Sequence, residues 1–136
     1  MSEYIFNTNN TIMANQGKTQ LIIIINAPAE EVAEGDKIFT SHLPWMERTH
    51  HKTGEKALIS YDLSKAPAHS NPMDPNSFTT GNVNFILAEV YESPAGAADH
   101  FEQAETSWED YPAFMAWLGR FKTTMIPMAE IGNSMW

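Results

Sequence analysis

Residues 82–91 read NVNFILAEVY, and the middle of that run, Phe85-Ile86-Leu87-Ala88, is apolar at both parities of a strand. Successive strand side chains point to opposite faces, so this segment needs cover on both sides and belongs at the centre of a sheet. Residues 18–26, KTQLIIIIN, read the same way, rich in β-branched side chains and apolar at both parities. Residues 56–64 alternate instead, with Ala57, Ile59, Tyr61 and Leu63 on one side and Leu58, Ser60, Asp62 and Ser64 on the other. That pattern predicts a strand with one mostly polar face.

The segments between these strands are helical. Asn26, Pro28, Glu30 and Glu31 supply a cap, an early proline and acids at the positive end of a helix dipole, and the helix is expected to run to about residue 51. At 100° per residue, Val32, Phe39, Leu43, Met46 and His50 form one stripe, and Pro44 should bend or split the helix. Thr53-Gly54 marks the turn out. Ser93-Pro94, a cap followed by an N1 proline, starts a second helix to about residue 105. A further helical piece from about Asp110 carries Tyr111, Phe114, Trp117, Leu118 and Phe121 on one face. Residues 122–131 form the last strand, where Pro127 implies a bulge or an edge. Residues 65–80, with Pro67, Pro72 and Pro75, are expected to form a lid or a disordered linker.

The order is β-α-β-β-α-β, which folds as a ferredoxin-like α+β unit with four antiparallel strands and the helices on one face. Residues 1–17 read as an N-terminal arm and residues 18–136 as a single domain. Helices on one face leave the other face of the inner strands bare, and a second copy of the chain is the simplest cover, so a homodimeric α+β barrel is expected.

Composition narrows the function. Eight Lys and Arg against 17 Asp and Glu give a net charge of −9, which disfavours nucleic acid and anionic membrane surfaces as partners. No cysteine is present, so disulfides, a thiolate nucleophile and Cys-ligated metals are excluded. The first 17 residues lack Lys, Arg and an apolar run, which points to the cytoplasm. No His-x-x-x-His pair, Gly-rich phosphate loop or G-x-S-x-G elbow occurs among the residues, so neither a metal nor a nucleotide cofactor is expected.

Glu89-Val90-Tyr91 followed by Ser93-Pro94 and His100, preceded by the Gly54 turn and the strand Leu58-Ile59-Ser60-Tyr61, resembles the antibiotic biosynthesis monooxygenase-like group of dimeric α+β barrels. The resemblance spans residues 18–131 as short fragments. It implies two ferredoxin-like units paired sheet to sheet, each with a small pocket between sheet and helices. It also implies one of several activities: oxygenation of quinols or polyketides without metal or flavin, isomerisation of lactones and sugar derivatives, or haem breakdown. The chain departs from the haem-degrading branch, because Tyr91 stands where that branch has a tryptophan.

Four residues are candidate proton acceptors. His50 places an imidazole in the stripe of the first helix, where it serves as a base or bonds terminal carbonyls or Glu55. His42 lies about 60° from the stripe centre and reaches the same interior, or is a boundary residue. Glu89 is a lone carboxylate on the face of Val83, Phe85, Leu87 and Tyr91; it is either a base with a raised pKa, or it bonds Tyr61 or pairs with Arg120 across a dimer. His100, beside Gly96, Ala97 and Ala104, matches the histidine of the group by its spacing from Glu89; its ring reaches a pocket mouth, or it is an ordinary half-exposed surface residue. Trp45, Tyr61, Tyr91, Phe85, Phe114 and Trp117 are expected to line the ligand site, with Asp62 a weaker candidate. The expected ligand is a small apolar, aromatic, quinol or polyketide-like compound, and removal of its acidic proton is the step that a cofactor-free monooxygenase and an isomerase share. The other reading is a non-catalytic or stress-related binding dimer.

Overall fold

A computed structural model describes residues 14–136, and residues 1–13 of the expected N-terminal arm lie outside the described residues. The chain runs β1 (Thr19–Pro28), a 3-10 turn (Ala29–Glu31), α1 (Val32–Thr49), β2 (Leu58–His69), β3 (Thr79–Tyr91), α2 (Pro94–Ser107), α3 (Tyr111–Leu118) and β4 (Lys122–Glu130). The strands form one antiparallel sheet in the order β2-β3-β1-β4, as the ferredoxin-like reading requires. The two segments that are apolar at both parities are the two central strands, paired from Thr19 opposite Tyr91 to Pro28 opposite Asn82. Pro127 lies on the edge strand, at a bulge between the pairs Gln20–Ala129 and Ile22–Ile126, where its missing N–H breaks no ladder.

The helices cover one face. Leu21, Ile23 and Ile25 of β1 and Phe85 and Leu87 of β3 are buried under Ile38, Phe39 and Met46 of α1 and Trp117 and Leu118 of α3. Each such side chain removed from water contributes about 1.5–3 kcal/mol, so this layer supplies most of the drive for folding. α1 comes close to the sheet at Gly35: a methyl there would meet Trp117 Cζ2 at 2.5 Å and Phe85 Cζ at 2.7 Å. On the other face Ile22, Ile24, Ile86, Ala88 and Ile126 lie in neighbouring register positions, partly exposed, with Asn26, Asn84, Ser64 and Asp62 around them. Among the described residues, no helix is long and apolar enough to cross a membrane.

Four sequence expectations are corrected. Residues 65–80 are not a loose linker: β2 continues to His69 and β3 begins at Thr79. The intervening turn is tied by Ser70 N–H to the Phe78 carbonyl (2.8 Å), Asn76 N–H to Asp74 Oδ1 (2.9 Å) and Ser77 Oγ to the Asp74 carbonyl (2.7 Å). Pro67 is tolerated because β2 is an edge strand, and the prolines restrain the turn instead of loosening it. α1 is not split at Pro44 but runs from Val32 to Thr49 as one helix. Its buried face, Gly35, Ile38, Phe39, His42, Trp45 and Met46, is turned about 70° from the expected stripe on a 100° wheel. Two large rings decide this: Trp45 stacks on Trp108 at 5.7 Å and is buried, while Leu43 is left 45% exposed. Finally, a register shift between Leu58 and Ser60 reverses the parity at the start of β2, so Leu58 packs on the core and Ile59 is 42% exposed, while Tyr61 and Leu63 keep the expected core-facing side.

Candidate functional site

The site grows from Glu89, whose side chain lies on the helix-covered side of β3 and is fully buried. Tyr91 shares its parity, and the Tyr91 hydroxyl donates to Glu89 Oε1 at 2.5 Å. Glu89 Oε2 has no hydrogen-bond partner, the one such buried side-chain atom among the described residues. Burial pushes the Glu89 carboxyl up to about 7, and the bond from Tyr91 opposes that rise. The Tyr91 phenol is itself pushed up, by burial and then by the neighbouring Glu89.

α2 brings the next group. A methyl at Gly96 would meet Tyr91 Cδ1 at 2.9 Å and the Lys56 carbonyl oxygen at 3.0 Å, so only glycine lets the first turn of α2 lie this close to β3. Ser93 fixes that start by accepting the Ala95 N–H at 3.2 Å. One turn past Gly96, His100 sits over Glu89 with Nε2 at 3.9 Å from Oε1. The expectation of a half-exposed ring is corrected: the small side chains beside it let the helix close down, and His100 is buried.

His50 is buried, as expected, but at the end of α1 and not within it. It is the residue that caps the C-terminus of α1, in extended backbone, and its ring does not bond Glu55. His50 Nε2 lies 2.8 Å from His100 Nδ1, and His50 Nδ1 lies 2.9 Å from Thr49 Oγ1. The direction of this chain follows from its far end. Thr49 Oγ1 donates its only hydrogen to the Trp45 carbonyl at 2.7 Å, so toward His50 it accepts. His50 therefore carries its proton on Nδ1 and accepts at Nε2 from His100 Nδ1–H. His100 Nε2 is left with a lone pair facing Glu89. Burial holds the rings neutral, with His50 lowered to about 4 and His100 to about 3, the latter helped by His50 and His42.

His42 completes the cluster from the middle of the buried face of α1. Its Nδ1 lies 2.9 Å from the Tyr61 hydroxyl, its ring stands 5.9 Å from that of His100, and burial lowers it to about 3. His42, Glu89 and His100 each offer a ligand atom, all within 4.8 Å of one another. Beside the two histidines is a cavity of about 140 Å³. Ile23, Leu87 and Met125 of the sheet and Phe101 and Ala104 of α2 line one side of it. Trp108 and the α3 residues Tyr111, Phe114 and Met115 line the other.

The structure thus brings together His42, His50, His100, Glu89, Tyr61 and Tyr91, while Phe114 lines the cavity. Trp45 stands behind His42, with its Nε1 donating to Ser107 Oγ at 3.0 Å. Phe85 and Trp117 do not reach the cavity; they pack on each other at 5.2 Å under Gly35. Asp62 points to the opposite face, paired with Ala88. Glu89 bonds Tyr91, not Tyr61, and Arg120 pairs with Glu31 at 2.9 Å and Glu34 at 3.4 Å on its own chain. Sequence reasoning missed Trp108, which lies 4.6 Å from His42 and donates from Nε1 to Ser41 Oγ at 2.9 Å. A lone tryptophan between two helical runs was the available signal. Met115 and Met125 carried none.

No protein-family model matches this chain. No curated protein matches it either.

Proposed function

We propose that the protein binds a small single-ring aromatic compound, such as a phenol or hydroquinone, in the cavity beside His42 and His100 and removes its hydroxyl proton. One observation carries this reading: an apolar, aromatic-lined space of about 140 Å³ meets two imidazoles, and the hydrogen-bond chain from Thr49 leaves His100 Nε2 as an acceptor. A space of that size suits one benzene-like ring and is too small for a multi-ring polyketide, which needs several hundred cubic ångströms. His100 Nε2 accepts the hydroxyl hydrogen bond and relays the proton to Glu89 3.9 Å away, whose carboxyl at about 7 is the most basic group of the cluster; His50 is the positioning residue that fixes the His100 tautomer, and Tyr91 the group that holds Glu89 in place. The resemblance to the antibiotic biosynthesis monooxygenase-like group supports oxygen as the next reactant. Phenol plus dioxygen gives para-quinone plus water, with the substrate supplying all the electrons and no flavin or metal needed for the balance.

The partly exposed Ile22, Ile24, Ile86, Ala88 and Ile126 favour a second copy of the chain on the open face. A polar rim around an apolar centre is the usual anatomy of a self-associating patch.

The test is a panel of phenols, catechols and hydroquinones followed by tryptophan fluorescence and by oxygen uptake. Saturable binding with oxygen consumption supports the monooxygenase. Binding with exchange of ring hydrogen for solvent deuterium and no oxygen uptake supports the isomerase. Binding with neither supports a carrier, and no binding by any single-ring compound overturns the reading.

A further inference from the structure

We infer that His42, His100 and Glu89 form a binding site for one divalent first-row transition-metal ion. The three donors come from α1, α2 and β3, lie within 4.8 Å of one another and are all buried. A metal with bonds of about 2.0–2.2 Å needs its donors about 3–4 Å apart, so closing the site requires side-chain movements of about 1 Å or less. Two imidazoles and one carboxylate are the donor set of zinc hydrolases and of non-haem iron enzymes, and they leave coordination positions open. Here the open side is the cavity, whose wall includes both histidines.

The groups behind the donors make this more than a chance encounter of polar residues. A metal-bound histidine needs its other nitrogen fixed by a partner. His100 Nδ1 is held by His50 Nε2 at 2.8 Å, and His42 Nδ1 by the Tyr61 hydroxyl at 2.9 Å. Glu89 Oε1 accepts from Tyr91 at 2.5 Å. In each case the partnered atom leaves the other atom of the same side chain free to ligate. For Glu89 that atom is the orphan Oε2, a buried oxygen with no hydrogen-bond partner, and its neighbour Oε1, 3.9 Å from His100 Nε2, also keeps a lone pair beside the bond from Tyr91. An unsatisfied buried carboxylate oxygen is costly, and a cation is the simplest group that would satisfy it.

The spacing rules for metal sites missed this cluster because its ligands lie on three elements and no two share a helix. The inference shares the cavity with the proposed aromatic ligand and does not depend on it. With the ion present, a phenol oxygen meets the metal instead of the bare imidazole.

The test uses the full chain stripped with a chelator and dialysed, with no organic compound present. Zinc titrated by calorimetry should bind at one ion per chain, and cobalt(II) should give visible d–d bands of a nitrogen–oxygen site. Glu89→Gln, which keeps the shape and the bond from Tyr91, should weaken zinc at least about 100-fold, and His50→Gln, acting from behind His100, about tenfold. The surface double variant His51→Gln with His69→Gln should bind as the wild type does. Absence of binding at millimolar zinc, undiminished affinity in Glu89→Gln, or loss of affinity in the surface variant each overturns the inference. Metal uptake without phenol binding would sink the aromatic reading alone; phenol binding without metal uptake would sink this one alone.

Discussion

Replacing Glu89 with glutamine should make the metal-free protein more stable in alkali and leave it unchanged in acid. In the fold the carboxyl is held at about 7 against an ordinary 4.5. Its folded value is raised, so its contribution is fully present below 4.5 and is lost as the pH climbs through 7. At about 1.4 kcal/mol per tenfold change in proton affinity, the ionised group costs the native state about 3 kcal/mol at pH 8.5. His42, His50 and His100 act with the opposite sign. They are held at about 3, 4 and 3, below an ordinary 6.5, so their contribution is present above 6.5 and is lost as the pH falls. These slopes oppose each other between 4.5 and 6.5, and subtracting the variant from the wild type leaves the glutamate term. Urea unfolding with a chelator present, at pH 4 and at pH 8.5, measures it. A denaturant slope of about 2 kcal/mol/M turns the alkaline difference into a midpoint shift of about 1.5 M. A difference that does not change with pH, or a variant weaker than wild type at pH 8.5, would refute the burial argument. Zinc at about 100 times its dissociation constant should add about 2.7 kcal/mol to the wild type and close most of the gap.

Three further outcomes are expected. Gly35→Ala forces a methyl into Trp117 and Phe85, both fully buried; overpacking of about 3 kcal/mol against a helix gain of about 1 leaves a net loss of about 2, seen as a fall in Tm of about 6–8 °C. Ala104→Leu fills the cavity and should weaken phenol binding at least about tenfold in a fluorescence titration, while zinc binding, which lies deeper, stays within about threefold. Ile24→Asp puts a charge at the centre of the open face and should convert a dimer to a monomer in sedimentation velocity at micromolar concentration; a wild type that sediments as a monomer removes the case for a second copy.

The sheet was legible because two strands announced their central place by being apolar at both parities, and Ser93-Pro94 fixed the start of α2 through local chemistry alone. The rotation of α1 was not legible: a wheel weighs each side chain by itself, whereas Trp45 was turned inward by Trp108, 63 positions away. The β2–β3 hairpin is not legible for a related reason, since prolines in an edge strand look the same as prolines in a loop until the partner strand is known. Glu89, His42, His50 and His100 could be named from sequence because a titratable group in an apolar surround stands out. Their mutual geometry could not, because it depends on how closely α2 approaches β3, and that distance is set by the bare Cα of Gly96.

Thr49 touches neither the cavity nor Glu89, yet its hydroxyl is the anchor that gives two imidazoles a shared polarity. If the last turn of α1 frays, the bond to the Trp45 carbonyl is among the first to go, and both rings become free to exchange tautomers. The basicity available deep inside the molecule is therefore tied to the integrity of one helical turn near its surface, and breathing of that turn would silence the far end of the chain without displacing a single ring.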